Sequence, residues 1–183
     1  MKAAAKEFMA LGFGGARMQV IADQAGINKA LLHYHFSSKE KLYHRVIKNQ
    51  FAPLMGSLLE IFDSDGGIEQ WLRLLIGKLV KEIGSKPQFS RFVIWELNTL
   101  AKHLPLVLKE IIQERSGTNP LTKIREKLDR AGLGDYSAEH FILNVMSLCI
   151  YPSLARPLLE EVIGKELYNK ADFMAEREEE IFA

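Results

Sequence analysis

The sequence predicts an all-α fold of about nine helices, and three observations carry that prediction. Apolar residues recur three and four apart through most of the chain. No segment alternates with a period of two for long enough to be a strand. Clusters of Gly, Pro, Ser, Asn and Asp separate the apolar stretches. An apolar content of 48%, with 26% charged and 9% aromatic residues, describes a globular chain rather than a disordered one. The helices divide into a three-helix domain over residues 1–47 and a larger helical domain over 48–183.

Residues 2–11 open the chain as a helix whose apolar face is Ala4, Ala5, Phe8 and Leu11, ended by Gly12, Gly14 and Gly15. No cap or turn residue precedes Lys2, so a few residues ahead of it are expected to be missing. A second, short helix follows, with Val20, Ile21 and Ala25 inward and Gln19, Asp23 and Gln24 outward. Gly26 supplies the left-handed position that ends it. Ile27 plugs the corner, and Asn28 is placed to cap a third helix over Lys29–Phe36. Leu32 and Phe36 face inward there, leaving Lys29, Ala30, His33 and Tyr34 outward. Two short helices around a glycine turn form a helix-turn-helix pattern, in which the second helix enters the DNA major groove.

Ser38 is positioned to cap a fourth helix beginning with Lys39, Glu40 and Lys41. Its apolar stripe runs from Leu42 through Ile61, with Pro53 expected to kink or divide it. Residues 63–67, Asp-Ser-Asp-Gly-Gly, are the clearest loop. Helices then follow over 68–83, 88–101, 106–115 and 121–131, with breaks at 84–87, 116–120 and 132–134. Ser137 caps the next helix, whose body FILNVMSLCIYPSLA is apolar almost all round and therefore reads as a partner-facing helix. Pro152 and Pro157 bend or end it. The last helix covers about 166–181, with Leu167, Ala171, Met174 and Ile181 on one stripe and an acidic end.

Charge is unevenly placed. Residues 1–50 hold eight Lys/Arg against three acids, and residues 51–183 hold sixteen against twenty, so a net +5 precedes a net −4. Charge alone leaves nucleic acid and a merely solvated domain equally open. No run of eighteen apolar residues exists, so no membrane span is expected. The start is too short and too charged for a secretory signal, and Cys149 stands alone; both suit a reducing cytoplasm. Cys149 reads as a buried small apolar residue rather than a redox sensor. No carboxylate pair, metal-ligand cluster, Ser/His/Asp set or phosphate-cradling glycine loop stands at usable spacing, so the chain is read as not an enzyme, without metal or cofactor.

The stretch GFGGARMQVIADQAGINKALLHYHFSSKEKL resembles the amino-terminal DNA-binding domain of the TetR family of bacterial transcriptional regulators. Gly12-Phe13, Ile21-Ala22, Ala25-Gly26, Leu32, Tyr34, Phe36, Ser38-Lys39 and Leu42 carry the likeness over about residues 3–47. The rest is similar in architecture only. The resemblance implies a homodimer joined through its last two helices, bound to a double-stranded operator of two half-sites. It also implies a small-molecule effector held in the carboxy-terminal domain, most often releasing a repressor. The chain departs from the family pattern at Ala16 and Arg17, where a hydroxyl cap is usual, at Leu31, usually Thr or Ser, and at His33, usually Tyr. A basic arm and about a turn of the first helix are also lacking. These departures keep a second reading open: a helical ligand-binding or interaction protein whose helix-turn-helix no longer binds DNA.

The residues expected at DNA are Arg17, Gln19, Asn28, Lys29, Ala30, Leu31, His33, Tyr34, His35, Lys39 and Lys41. Lys29 can reach guanine or phosphate, Leu31 a thymine methyl, and Lys39 and Lys41 phosphates beside a helix start. Tyr34 is expected to pack its ring and offer its hydroxyl to the DNA backbone. His33 and His35 stand two apart, splayed by about 200° on a helix, and so do not share a metal ion. His35 is read as a capping or phosphate-contact residue. For an effector pocket the candidates are Trp71, Phe92, Trp95, Asn98, His103, Phe141, Asn144, Met146 and Tyr151, an apolar lining with a few polar anchors. Ordinary helical core is the competing reading for each.

Overall fold

A computed structural model of the chain describes residues 1–84, 92–96, 103–115, 119–164 and 173–182. Every regular element among them is helical: α1 (Lys2–Gly15), α2 (Met18–Gln24), α3 (Lys29–Phe36), α4 (Lys39–Asp63), α5 (Ile68–Leu79), α6 (92–96), α7 (Leu104–Arg115), α8 (Pro120–Arg130), α9 (Ala138–Leu154), α10 (Arg156–Val162) and α11 (Phe173–Phe182). A π-helical turn, Val80–Gly84, extends α5. The all-α expectation stands, with more helical pieces than expected.

The chain forms two compact units, Met1–Met55 with Arg91–Ile111 and Gly56–Ser90 with Ile112–Ala183. This partition differs from the expected boundary at residue 47. The reason lies in Tyr43 of α4, fully buried, whose ring gathers Phe92 of α6 and His103 just ahead of α7. The later segment is thereby drawn into the core of the first unit.

That core is built from one stripe of each helix. Ala4 and Phe8 come from α1, Ile21 and Ala22 from α2, Leu32 from α3, Leu42, Val46, Ile47 and Phe51 from α4, and Leu104, Val107 and Ile111 from α7. Each large side chain so buried is worth about 1.5–3 kcal/mol. The expected break in α1 is real: Gly12 takes φ 65° and ψ −177°, a left-handed, non-helical conformation inside the element. A Cβ at that position would collide with the Trp95 indole.

Pro53 does not divide α4, which runs unbroken for 25 residues. Pro53 is exposed, so the carbonyl it frees one turn back can bond to water.

In the second unit Trp71 is the centre. Its ring lies 6.0 Å from those of Phe62 and Phe141, stacked on the latter, with the Lys127 ammonium 5.8 Å from its centroid. Leu75, Ile76 and Leu79 of α5, Ile124 and Leu128 of α8, and Val145 and Cys149 of α9 complete this core. Ser137 caps α9, accepting the His140 amide at 3.2 Å. Pro152 lies inside α9; the helix stops at Leu154, and Pro157 then starts α10, an element the sequence reading did not separate. Leu143, Met146, Leu148 and Tyr151 of α9, and Leu158 and Val162 of α10, are exposed. Among the described residues no single helix is long and apolar enough to cross a membrane. The expected start of the last helix, with Leu167 and Ala171, lies outside the described residues.

Candidate nucleic-acid interface

The turn between α2 and α3 closes as the residue types require. The Ile27 amide donates to Ala22 O and the Gly26 amide to Asp23 O, both at 3.1 Å, with Gly26 at φ 66°. This is a Schellman ending, available because glycine carries no Cβ into the left-handed region. Asn28 Oδ1 then accepts the Leu31 amide at 2.6 Å, fixing the first turn of α3. At the far end Ser37 adopts φ 61°, unusual for a residue with a Cβ, and its amide donates to His33 O at 2.7 Å. Ser38 Oγ accepts the Lys41 amide at 3.2 Å and so caps α4. Four local features thus set where α3 starts and stops.

Leu32 is buried and anchors α3, while Lys29, Ala30, His33, Tyr34 and His35 are exposed. Leu31 is 41% exposed and Tyr34 82%. The expectation that the Tyr34 ring packs is therefore corrected: among the described residues it meets the neighbouring His35 ring, edge-on at 5.5 Å. With Leu32 turned inward, Tyr34 two residues on points the other way.

Ahead of α3, Arg17 is exposed and occupies the N-cap of α2 without a side-chain cap bond, while Ala16 is buried. The Arg17 backbone amide instead donates to buried Glu7 Oε1 at 3.3 Å. The sequence offered a signal for this link, since Glu7 falls on the apolar side of α1 beside Ala4 and Phe8. Gln19 Nε2 donates to Asp23 Oδ1 at 2.8 Å.

Beyond α3, Lys41 is exposed, and the half-buried Lys39 holds its ammonium 4.8 Å from the Phe13 centroid. The backbone amide of Glu40, then the Ser38 hydroxyl, keep its carboxyl below the usual range. Lys41, Arg45 and Lys48 fall along one side of α4 at helical spacing, and with His35, Phe36, His44, His103 and Glu110 they line an open cleft of about 670 Å³. Sequence reasoning missed Arg45, His44 and Lys48 here, although their spacing from Lys41 was visible.

The effector candidates fall into separate groups. Phe92, Trp95 and His103 belong to the first unit, Trp71, Phe141, Asn144, Met146 and Tyr151 to the second, and Asn98 lies outside the described residues. Asn144, Met146 and Tyr151 of α9 are exposed, whereas Val145 and Cys149 of the same helix are buried. Trp71 Nε1 is buried and finds no hydrogen-bond partner among the described residues. Among those residues no cluster of three His, Cys, Asp or Glu could hold a metal ion.

Residues 1–46 match the family described as "Bacterial regulatory proteins, tetR family". The HTH-type transcriptional repressor NicS of Pseudomonas putida is 28% identical over 174 residues, spanning 93% of this chain and 81% of that protein. The HTH-type transcriptional regulator RutR of Escherichia coli is 28% identical over 182 residues, spanning 94% and 81%. Among solved structures, the transcriptional regulator FadR from Bacillus subtilis in complex with stearoyl-CoA superposes with a TM-score of 0.70 at 15% identity, covering 99% of this chain and 92% of that one. At that identity the likeness is one of fold.

Proposed function

We propose that the chain is a regulator of the tetR family, whose amino-terminal model matches residues 1–46, and that it acts as a ligand-responsive repressor released from a pseudo-palindromic operator by a small molecule. It is a DNA-binding regulator and not an enzyme. The observation that carries the reading is α3 itself. It is capped by Asn28, anchored by Leu32, and turns Lys29, Ala30, Leu31, His33, Tyr34 and His35 outward, with Lys39 and Lys41 just beyond its end. Lys29 and His33 are assigned to base edges or phosphates, Leu31 to a thymine methyl, and Lys39 and Lys41 to phosphates on one flank. Arg17 and Gln19 flank the groove at the start of α2, and Tyr34 offers its hydroxyl to the DNA backbone.

A second copy of the chain presents the second recognition helix. The exposed apolar faces of α9 and α10 support a dimer surface there; the described part of the last helix, α11, is rich in glutamate. Symmetry then ties half-site spacing to the distance between the two copies of α3. We assign the effector to the second unit, where Trp71 Nε1, without a hydrogen-bond partner among the described residues, lies beside Phe141 as a polar anchor in an apolar setting. Action on chromosomal DNA puts the protein in the cytoplasm.

Binding to fragments of DNA upstream of its own gene, titrated at about 50 and 200 mM salt, tests this. Selective binding that weakens by about 10³-fold or more between these conditions is expected for a protein contacting six or more phosphates. Absent or salt-insensitive binding would overturn it.

A further inference from the structure

We propose that Phe13 is a positioning residue for DNA binding: its ring holds the Lys39 ammonium at the flank of α3, and the buried Tyr43–Glu96 contact fixes that ring. The proposal rests on the reading of Lys39 as a phosphate contact.

Lys39 Nζ lies 4.8 Å from the Phe13 centroid, within the range of a cation–π contact. A lysine at a helix start otherwise samples many rotamers, and ordering it on DNA costs affinity. The ring that receives it is itself held. The left-handed Gly12 ends the first part of α1 and turns Phe13 into the unit. The Phe13 ring meets Tyr43 at 5.1 Å and His103 at 5.0 Å between centroids. Tyr43 is fully buried, and its hydroxyl donates to Glu96 Oε1. Glu96, also fully buried, accepts the Leu104 amide on Oε2 at 3.1 Å, so its carboxylate bridges a side chain of α4 and the backbone start of α7. His103 Nδ1 stands 3.9 Å from the same carboxylate. A continuous set of contacts therefore runs from a charge at the DNA flank to a buried carboxylate.

The relay predicts that Phe13 acts on DNA through Lys39 and not through stability alone. The test is a double-substitution cycle on the operator fragment recovered above, with wild type, F13L, K39Q and the double variant titrated over a salt series at a temperature where thermal melts show all four folded. K39Q is expected to reduce the salt slope by about one, as one phosphate contact is lost. F13L is expected to weaken binding about two- to fivefold, the worth of an exposed cation–π contact, and to have no further effect in the K39Q background. Weakening by F13L to the same extent in both backgrounds, or none in either, overturns the positioning role while leaving Lys39 as a contact. If K39Q instead keeps wild-type affinity and slope, the phosphate-contact reading fails first and the proposal with it. Should F13L not fold, F13M, apolar and without a ring, takes its place in the same cycle.

Discussion

Lys48 Nζ on α4 lies 2.6 Å from Glu110 Oε1 on α7, and His44 Nε2, one turn earlier on α4, lies 2.9 Å from the other carboxylate oxygen. The Lys48 ammonium, and then His44, hold the Glu110 carboxyl below the usual range. A depressed carboxyl pKa stabilises the fold above the unfolded value, 4.5 for a glutamate, and that contribution is lost as pH falls through the lowered value. Glu110→Gln should therefore lower stability at about pH 7 by at most about 1 kcal/mol, since the pair is partly exposed. The difference should shrink as pH falls from 4.5 toward about 3. Urea unfolding at the two pH values measures this, and an equal difference at both would refute the assignment.

Asn28 separates capping from recognition. Asn28→Ala removes the bond to the Leu31 amide and should cost about 1 kcal/mol. Asn28→Asp keeps an acceptor of the same shape and should retain stability. Its carboxylate, however, sits at the start of α3, the end proposed to meet DNA, and like charge should weaken operator binding. Thermal melts together with DNA titrations distinguish the two losses; a destabilised Asn28→Asp would show that the amide group does more than cap.

Two glycines of α1 two positions apart, Gly12 and Gly14, should respond oppositely. Gly12→Ala must hold a left-handed φ and force its Cβ into the Trp95 indole, which should destabilise by about 2–4 kcal/mol. At Gly14, which is helical, a Cβ meets nothing within 4 Å, so Gly14→Ala should be neutral or stabilise by up to about 1 kcal/mol. Equilibrium unfolding of both variants checks the pair. A tolerated Gly12→Ala would mean that Trp95 yields without cost.

Cys149 should be silent in the native protein. It is fully buried, and burial pushes its thiol up to about 11 even with Arg177 nearby. A thiol-specific reagent at about pH 8 should label it only in denaturant, because thiolate is the reactive form. Complete labelling under native conditions within minutes would contradict the placement.

Much of the interface was legible in the chain because its signals are local. Gly26 can enter the left-handed region, Asn28 and Ser38 carry short side chains that reach a nearby amide, and Leu32 falls on the inward stripe of a two-turn helix. Each is a relation over a few residues, set by covalent geometry and hydrogen-bond reach. The helical class and the placing of most breaks follow from the same short-range chemistry.

What only the tertiary structure decided involves residues far apart in sequence. Tyr43 reads as one more residue of an amphipathic helix, yet burial places its hydroxyl against Glu96, 53 residues away. That pairing moves the later segment into the first unit and displaces the boundary expected at residue 47. Pro53 signals a kinked or divided helix, and α4 continues through it undivided, with Pro53 exposed. Tyr34 promises a packed ring, but buried Leu32 leaves it facing solvent. The sequence thus determined the elements and the turn that presents α3. Which polar groups are buried together, and so which helix holds which, was decided by the three-dimensional packing, because desolvation makes a buried carboxylate or hydroxyl find its partner wherever the chain can bring one.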